Sequence, residues 1–253
     1  MPFEPSDFYR TALAALHQEL LASPITHAYL NGIGIRLDGS ELLPDDHFEL
    51  SLGIVSTVEF AHLFSVFDDS RVHQQTLKES AHNAPPGVYF TVINNRVIQP
   101  PLKNRLGIYR DSSGVADLFI DGLFVDHYFL NEHHTPPMLG TIAFALCAIT
   151  AHLAKLSQIS LVAAGGRGFD GRYIGYKVWP KFGFDAPLEP HEVSHVPGLA
   201  HCNSVQEVMA VDPAWWERRG SQRVMTFDLT AGSASWQKLL SYVDRRLSEG
   251  RHP

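Results

Sequence analysis

Residues 117–184 read DLFIDGLFVDHYFLNEHHTPPMLGTIAFALCAITAHLAKLSQISLVAAGGRGFDGRYIGYKVWPKFGF. The apolar segment 115–128 predicts a strand, and the polar loop Asn131-Glu132-His133-His134-Thr135 leads away from it. A small-residue apolar helix follows over 138–151, then a second apolar strand over 159–164. A glycine-rich turn, a short helix and Phe182-Gly183-Phe184 complete the stretch. Strand, helix, strand is the order that brings two strands side by side in parallel. The start of such a helix presents free backbone N–H groups and the positive end of its dipole, which suits an anion. Gly140 would let a ligand approach the backbone there.

Upstream of this stretch the alternating runs 88–93 and 106–110 predict strands of an antiparallel meander, with turn signals at Asn94-Asn95 and at 111–114. The prolines at 85 and 86 mark a boundary between an N-terminal extension packed on the core, residues 1–84, and the core with its C-terminal helix, residues 85–253, the two expected to form one integrated domain. Within the extension an amphipathic helix is expected over 6–22, with Ser6 as its N-cap and Pro24 as its stop. Strands are expected over 27–37 and 47–55, a helix over 56–67 capped by Ser56 or Thr57, and a polar surface helix over 69–83. Downstream, the Pro- and His-rich segment 186–202 reads as a loop. Helices are expected at 205–209 and from Pro213 to 218, a strand over 223–229, and a terminal helix from Ser233 or Ser235 to 247. The expected fold class is thus α/β: a mixed, mostly antiparallel central sheet with one parallel strand pair and helices on both faces.

Composition narrows the function. A net charge of −7 and a pI near 6.0 argue against a nucleic-acid partner that works by neutralising phosphates. The apolar run 138–151 falls short of the roughly 20 residues of a bilayer span, so no membrane partner is expected. Two cysteines, Cys147 and Cys202, do not make a disulfide framework, and the N-terminus lacks the pattern of a secretory signal. A cytoplasmic setting is the expectation.

The element order over residues 88–229 resembles the core of the GCN5-related N-acetyltransferase superfamily. The resemblance rests on the loop and small-residue helix, the strand ending Ala163-Ala164-Gly165, and the short helix ending Gly183-Phe184. It implies an acyl-CoA N-acyltransferase-like fold and acyl transfer from acetyl-CoA or another acyl-CoA to an amine, on a small molecule or a protein. The strand Phe124, Val125, Asp126 would pair with the pantetheine arm, and Met138, Leu139, Gly140 and Thr141 would hold the pyrophosphate. A tyrosine late in the short helix would protonate the departing thiolate. Here Trp179 stands at the family's tyrosine position, with Gly175 at its alanine and Arg172 at its asparagine, so Tyr176 is the proton donor available. Pro136 and Pro137 stand where the family has amide donors. The stretch 175–185, with Trp215-Trp216 and Met225 to Leu229, also resembles a group of bacterial proteins built on this core. That second resemblance implies that the C-terminal part belongs with the core.

Beside the resemblance stand readings of the residues themselves. Asp126 and Glu132, with Asp121, are candidates for a base that deprotonates an amine. Arg167 and Arg172 could meet an anionic group of a substrate, and Trp179 could wall its pocket. Two alternatives remain: a binding or interaction module without catalysis, and a metal-dependent hydrolase using His133 and His134. The favoured site holds no metal, since no HExxH or CxxC spacing occurs.

Overall fold

The computed structural model describes residues 4–81, 83–111 and 120–251. Contacts divide the chain into two units, Met1–Ser157 and Gln158–Pro253. The first unit begins with a π-helical turn, Tyr9–Leu13, that runs on into α1 (Ala14–Leu21). Ser6 Oγ accepts from the Tyr9 amide at 3.0 Å, so the expected cap is in place. Pro24 does not merely stop this helix. With Ser23 as N-cap it starts the next one, α2 (Pro24–Tyr29), because a proline's missing N–H costs nothing at a first helical position. The expected strand over 27–37 is therefore reduced to β1 (Arg36–Leu37), which turns into β2 (Ser40–Glu41).

The hairpin β3 (His47–Leu50) and β4 (Gly53–Ser56) forms a separate small sheet. It runs into α3 (Thr57–Leu63), whose Ser56 cap is completed by a reciprocal bond from Glu59. The polar segment after α3 is a strand, β5 (Arg71–Leu77), and not the surface helix its composition predicts. Every residue of β5 is matched with one of β6 (Gly87–Ile93), and β1 pairs with it in parallel on its other edge. A full backbone ladder on one side outweighs weak local preference. That ladder also joins residues on the two sides of position 84.

The sheet continues through β7 (Asn104–Asp111) and β8 (Ile120–His127), all antiparallel. The expected start of the last strand, 115–119, and turn residues 112–114 lie outside the described residues. In the first unit the strands thus run β8-β7-β6-β5-β1-β2, a mixed sheet whose parallel pair is β1–β5. Phe90 of β6 meets Phe60 of α3 and Phe64 just past its end, at ring-centroid distances of 5.0 and 4.4 Å. The helix α4 (Leu139–Leu153) packs on α1, α2 and α3, and most of its residues are buried. Such all-round burial explains its small-residue, apolar texture. Among the described residues no helix is long and apolar enough to cross a membrane.

The second unit is built on the antiparallel pair β9 (Gln158–Gly166) and β10 (Ser221–Asp228). Between them come α5 (Gly175–Val178), a 3-10 turn Trp179–Phe182, α6 (Pro190–Val193), α7 (Val205–Val211) and α8 (Pro213–Arg219). The helix α6 lies within the segment expected to be a loop, held by a Glu189/Glu192 capping box. The terminal helix α9 (Ala234–Arg251) supplies Trp236, which packs edge-on to Phe227, and Phe227 packs in turn on Phe184. Gly183 has φ 99°, and a Cβ there would come within 2.4 Å of the Ser235 carbonyl oxygen. The Phe-Gly-Phe corner is thus a packing device.

Candidate functional site

The ladder between β7 and β8 is regular except at one step. Leu106 is matched with Val125, but the next residue, Arg105, is matched with His127. Asp126 is the extra residue of a β-bulge. In a regular strand the side chains of residues 126 and 127 would point to opposite faces. A bulge bends the strand and re-aims side chains, and here the Asp126 carboxylate meets its neighbour's imidazole. His127 Nδ1 lies 3.2 Å from Asp126 Oδ1, and Arg105 Nη1 donates to Asp126 Oδ2 at 2.8 Å.

The surroundings hold this pair from below. Arg105 Nη2 donates to Gln75 Oε1 of β5 at 3.1 Å, and the guanidinium carbon sits 4.6 Å from the centre of the Tyr89 ring. Tyr89 lies flat across Gly107, where a Cβ would come within 2.3 Å of the ring. Its hydroxyl donates to the Pro85 carbonyl. Asp126 is only 6% exposed and Arg105 18%, whereas 53% of the His127 side chain is open to solvent.

The electrostatics follow from that arrangement. Burial raises the Asp126 carboxyl, but the hydrogen bonds and charges of His127 and Arg105 outweigh it and hold the group below the ordinary carboxylate value. His127 is raised by its bond to Asp126, against the opposing pull of burial. An ionised carboxylate only accepts, so Nδ1 carries the proton and Nε2 of the neutral ring is left with its lone pair. That is the arrangement of an oriented general base. Both oxygens of the Asp126 carboxylate are thus committed to donors.

Three residues past His127 the chain reaches Leu130, a span of about 10 Å if extended. A Cβ on Gly140 would lie 3.0 Å from Leu130 Cδ1, so the room left by this glycine is taken by Leu130 and is not open to a ligand. The loop before α4 also departs from an anion cradle. Asn131 accepts from the amide of His133 through its side chain, and from those of His134 and Thr135 through its carbonyl. The Leu139 amide reaches the Pro136 carbonyl at 3.3 Å, and Pro136 and Pro137 have no N–H to offer. Met138 caps the helix with φ 77°, and its side chain makes no cap bond. The first-turn amides of Gly140 and Thr141 make no bond with backbone oxygens outside the helix among the described residues. Of the strand residues expected to face a cofactor, Phe124 and Val125 are buried, with one edge matched to β7.

The other expected residues have separate fates. Glu132 is exposed in the loop turn. Asp121 is forked by Arg110 at 2.6 and 2.9 Å. In the second unit Tyr176 is buried and its hydroxyl donates to the Glu217 carbonyl at 3.0 Å, while its own carbonyl accepts from Trp216 Nε1 at 2.8 Å. Trp179 packs on Phe182 and Phe184. Arg172 is bound bidentately by Asp170, and the Arg167 amide donates to the Gly220 carbonyl at 3.0 Å. Among the described residues no group of three or more His, Cys, Asp or Glu side chains could hold a metal ion.

Sequence reasoning named Asp126 as a candidate base and gave neither Arg105 nor His127 an acid–base role. Adjacent Asp and His on a strand read as pointing apart, and only the bulge overturns that. No family model, no curated protein and no solved structure matches the chain, so the chemistry of this site rests on its own geometry.

Proposed function

We propose that this chain transfers an acyl group from a thioester donor to an amine, with His127 as the general base. The observation that carries the reading is the Asp126–His127 pair, fixed by a bulge, with a half-open imidazole. In the proposed step the amine nitrogen attacks the thioester carbonyl carbon and His127 Nε2 takes the proton released. As the C–N bond forms the C–S bond breaks, and the thiolate leaves to be protonated by water. Such a reaction needs a positioned base and little else from the protein. The acyl-CoA N-acyltransferase-like fold belongs to this same proposal. It is supported by the antiparallel strands leading into a buried, small-residue helix.

The donor's anionic part would fall to the amides of Gly140 and Thr141, a smaller cradle than the resemblance implies. Tyr176 is given no part, since its buried hydroxyl donates a hydrogen bond to the Glu217 backbone carbonyl. The test is acetylation of a panel of primary amines with acetyl-CoA, comparing the native protein with His127→Gln. Turnover lost in the variant, with acetyl-CoA still raising Tm in both, supports the reading. Turnover that survives the substitution removes it.

A second reading, a binding module without catalysis, is favoured by the loop amides already spent on Asn131. A ligand-dependent rise in Tm without turnover on any amine would select it, because binding to the native state alone stabilises that state.

A further inference from the structure

We propose that Arg105 is the positioning residue of this site: it locks the Asp126 carboxylate so that His127 is held in the Nδ1–H tautomer with Nε2 facing solvent. Asp126 has two oxygens, and its hydrogen bonds divide them. Oδ2 is held by Arg105 Nη1 at 2.8 Å, which leaves Oδ1 for His127 at 3.2 Å. Without the first contact the carboxylate is free to rotate about its terminal torsion, which is soft and roughly two-fold.

Arg105 is itself held at both Nη groups, while its buried Nε has no hydrogen-bond partner among the described residues. Its two Nη groups bridge β5 and β8 through Gln75 and Asp126, and its plane stacks on Tyr89 of β6. Four neighbouring strands therefore converge on one guanidinium. A planar fork with this many fixed contacts is what a lysine cannot imitate. The groups facing the dyad are Asp126 itself, Arg105 from β7, and Tyr89 from β6, whose hydroxyl burial keeps protonated above its ordinary range. Arg105 opposes protonation of His127 through its charge, while Asp126 favours it.

Only the kinetic arm of the test rests on His127 being the base of the proposed reaction. The spectroscopic arm does not. Nitrogen-15 chemical shifts of the His127 ring, measured at alkaline pH on the full chain, distinguish the two neutral tautomers. The native protein is expected to show Nδ1–H, and Arg105→Gln to lose it in favour of Nε2–H. Turnover, where the native protein shows it, is expected to fall through kcat with KM little changed.

Should Arg105→Gln fail to fold, Arg105→Lys decides. With one contact in place of two, it is expected to give a mixture of tautomers. A folded variant of either kind that keeps the pure Nδ1–H tautomer overturns the proposal. So does a native protein whose ring is Nε2–H. A lost acetylation activity with the tautomer switch intact would sink only the reaction, not the role of Arg105.

Discussion

His127 and His62 belong to the same unit of the chain and have opposite fates. At His127 a carboxylate holds one ring nitrogen while the rest of the ring stays half open, and the imidazole is pushed toward its charged form. His62, on α3, is 3% exposed, and its Nε2 donates to the Leu30 carbonyl at 3.0 Å. Burial lowers it to about 4, with the nearby His17 adding to the effect. Both rings have one nitrogen fixed by an acceptor. What differs is whether the acceptor is charged and whether the far side meets water. A carboxylate acceptor raises the ring's hold on a proton, and an open far side lets a substrate reach the other nitrogen.

The comparison can be broken most sharply at His127. Substitution by Gln is expected to reduce amine acylation by about 10²–10⁴-fold, the usual contribution of a general base, with little change in Tm. Steady-state kinetics beside a thermal melt measure both, and an undiminished rate would place the base elsewhere. In the native protein the same rate should climb only as pH passes an imidazole value above the ordinary one, because the neutral ring does the work.

His62 gives the next largest effect, and it falls on stability. Its value drops from 6.5 when unfolded to about 4 when folded, so the native state binds fewer protons in that window. The associated stability is complete above pH 6.5 and is lost as pH falls toward 4, on the order of 3 kcal/mol in all. Urea midpoints at pH 7 and near pH 4 measure it. His62→Gln, which keeps a donor toward Leu30, should flatten the dependence, and an unchanged slope would show that another group controls it. His127 has the opposite sign, its contribution being present below pH 6.5 and lost as pH rises through the raised value.

Two smaller changes separate scaffold from chemistry. Ser56→Ala removes the cap of the helix that carries His62 and is expected to cost about 1 kcal/mol in the urea midpoint while leaving the acylation rate alone. Smallest is Tyr176→Phe. Its hydroxyl is spent on Glu217, so the rate should change by less than about tenfold. A larger loss would restore this tyrosine as the proton donor that the resemblance implies.

Local chemistry made much of the architecture readable. Alternation along 88–93 and 106–110, the Ser6 and Ser56 caps, Pro213 after Asp212 and the uniform texture of α4 each act within a few residues, and each element stands where it is expected. The segment 71–77 misled because its side chains are polar while its backbone is claimed by β6 and, at its start, by β1. Residues 27–29 misled because Ser23-Pro24 can be read as an ending as well as a beginning.

The candidate site divides along the same line. The sequence by itself determined that a carboxylate and an imidazole adjoin at 126 and 127, that a loop with two prolines follows, and that a buried helix comes next. Its residue types and spacings are properties of neighbours in the chain. Only the tertiary structure decided that Asp126 is the odd residue of a bulge, that Arg105 lies across from it, and that Leu130 fills the room beside Gly140 while Asn131 takes the loop amides of residues 133–135. Those are matters of register between strands and of packing against distant residues, and pairing of that kind leaves no periodic trace in a single chain.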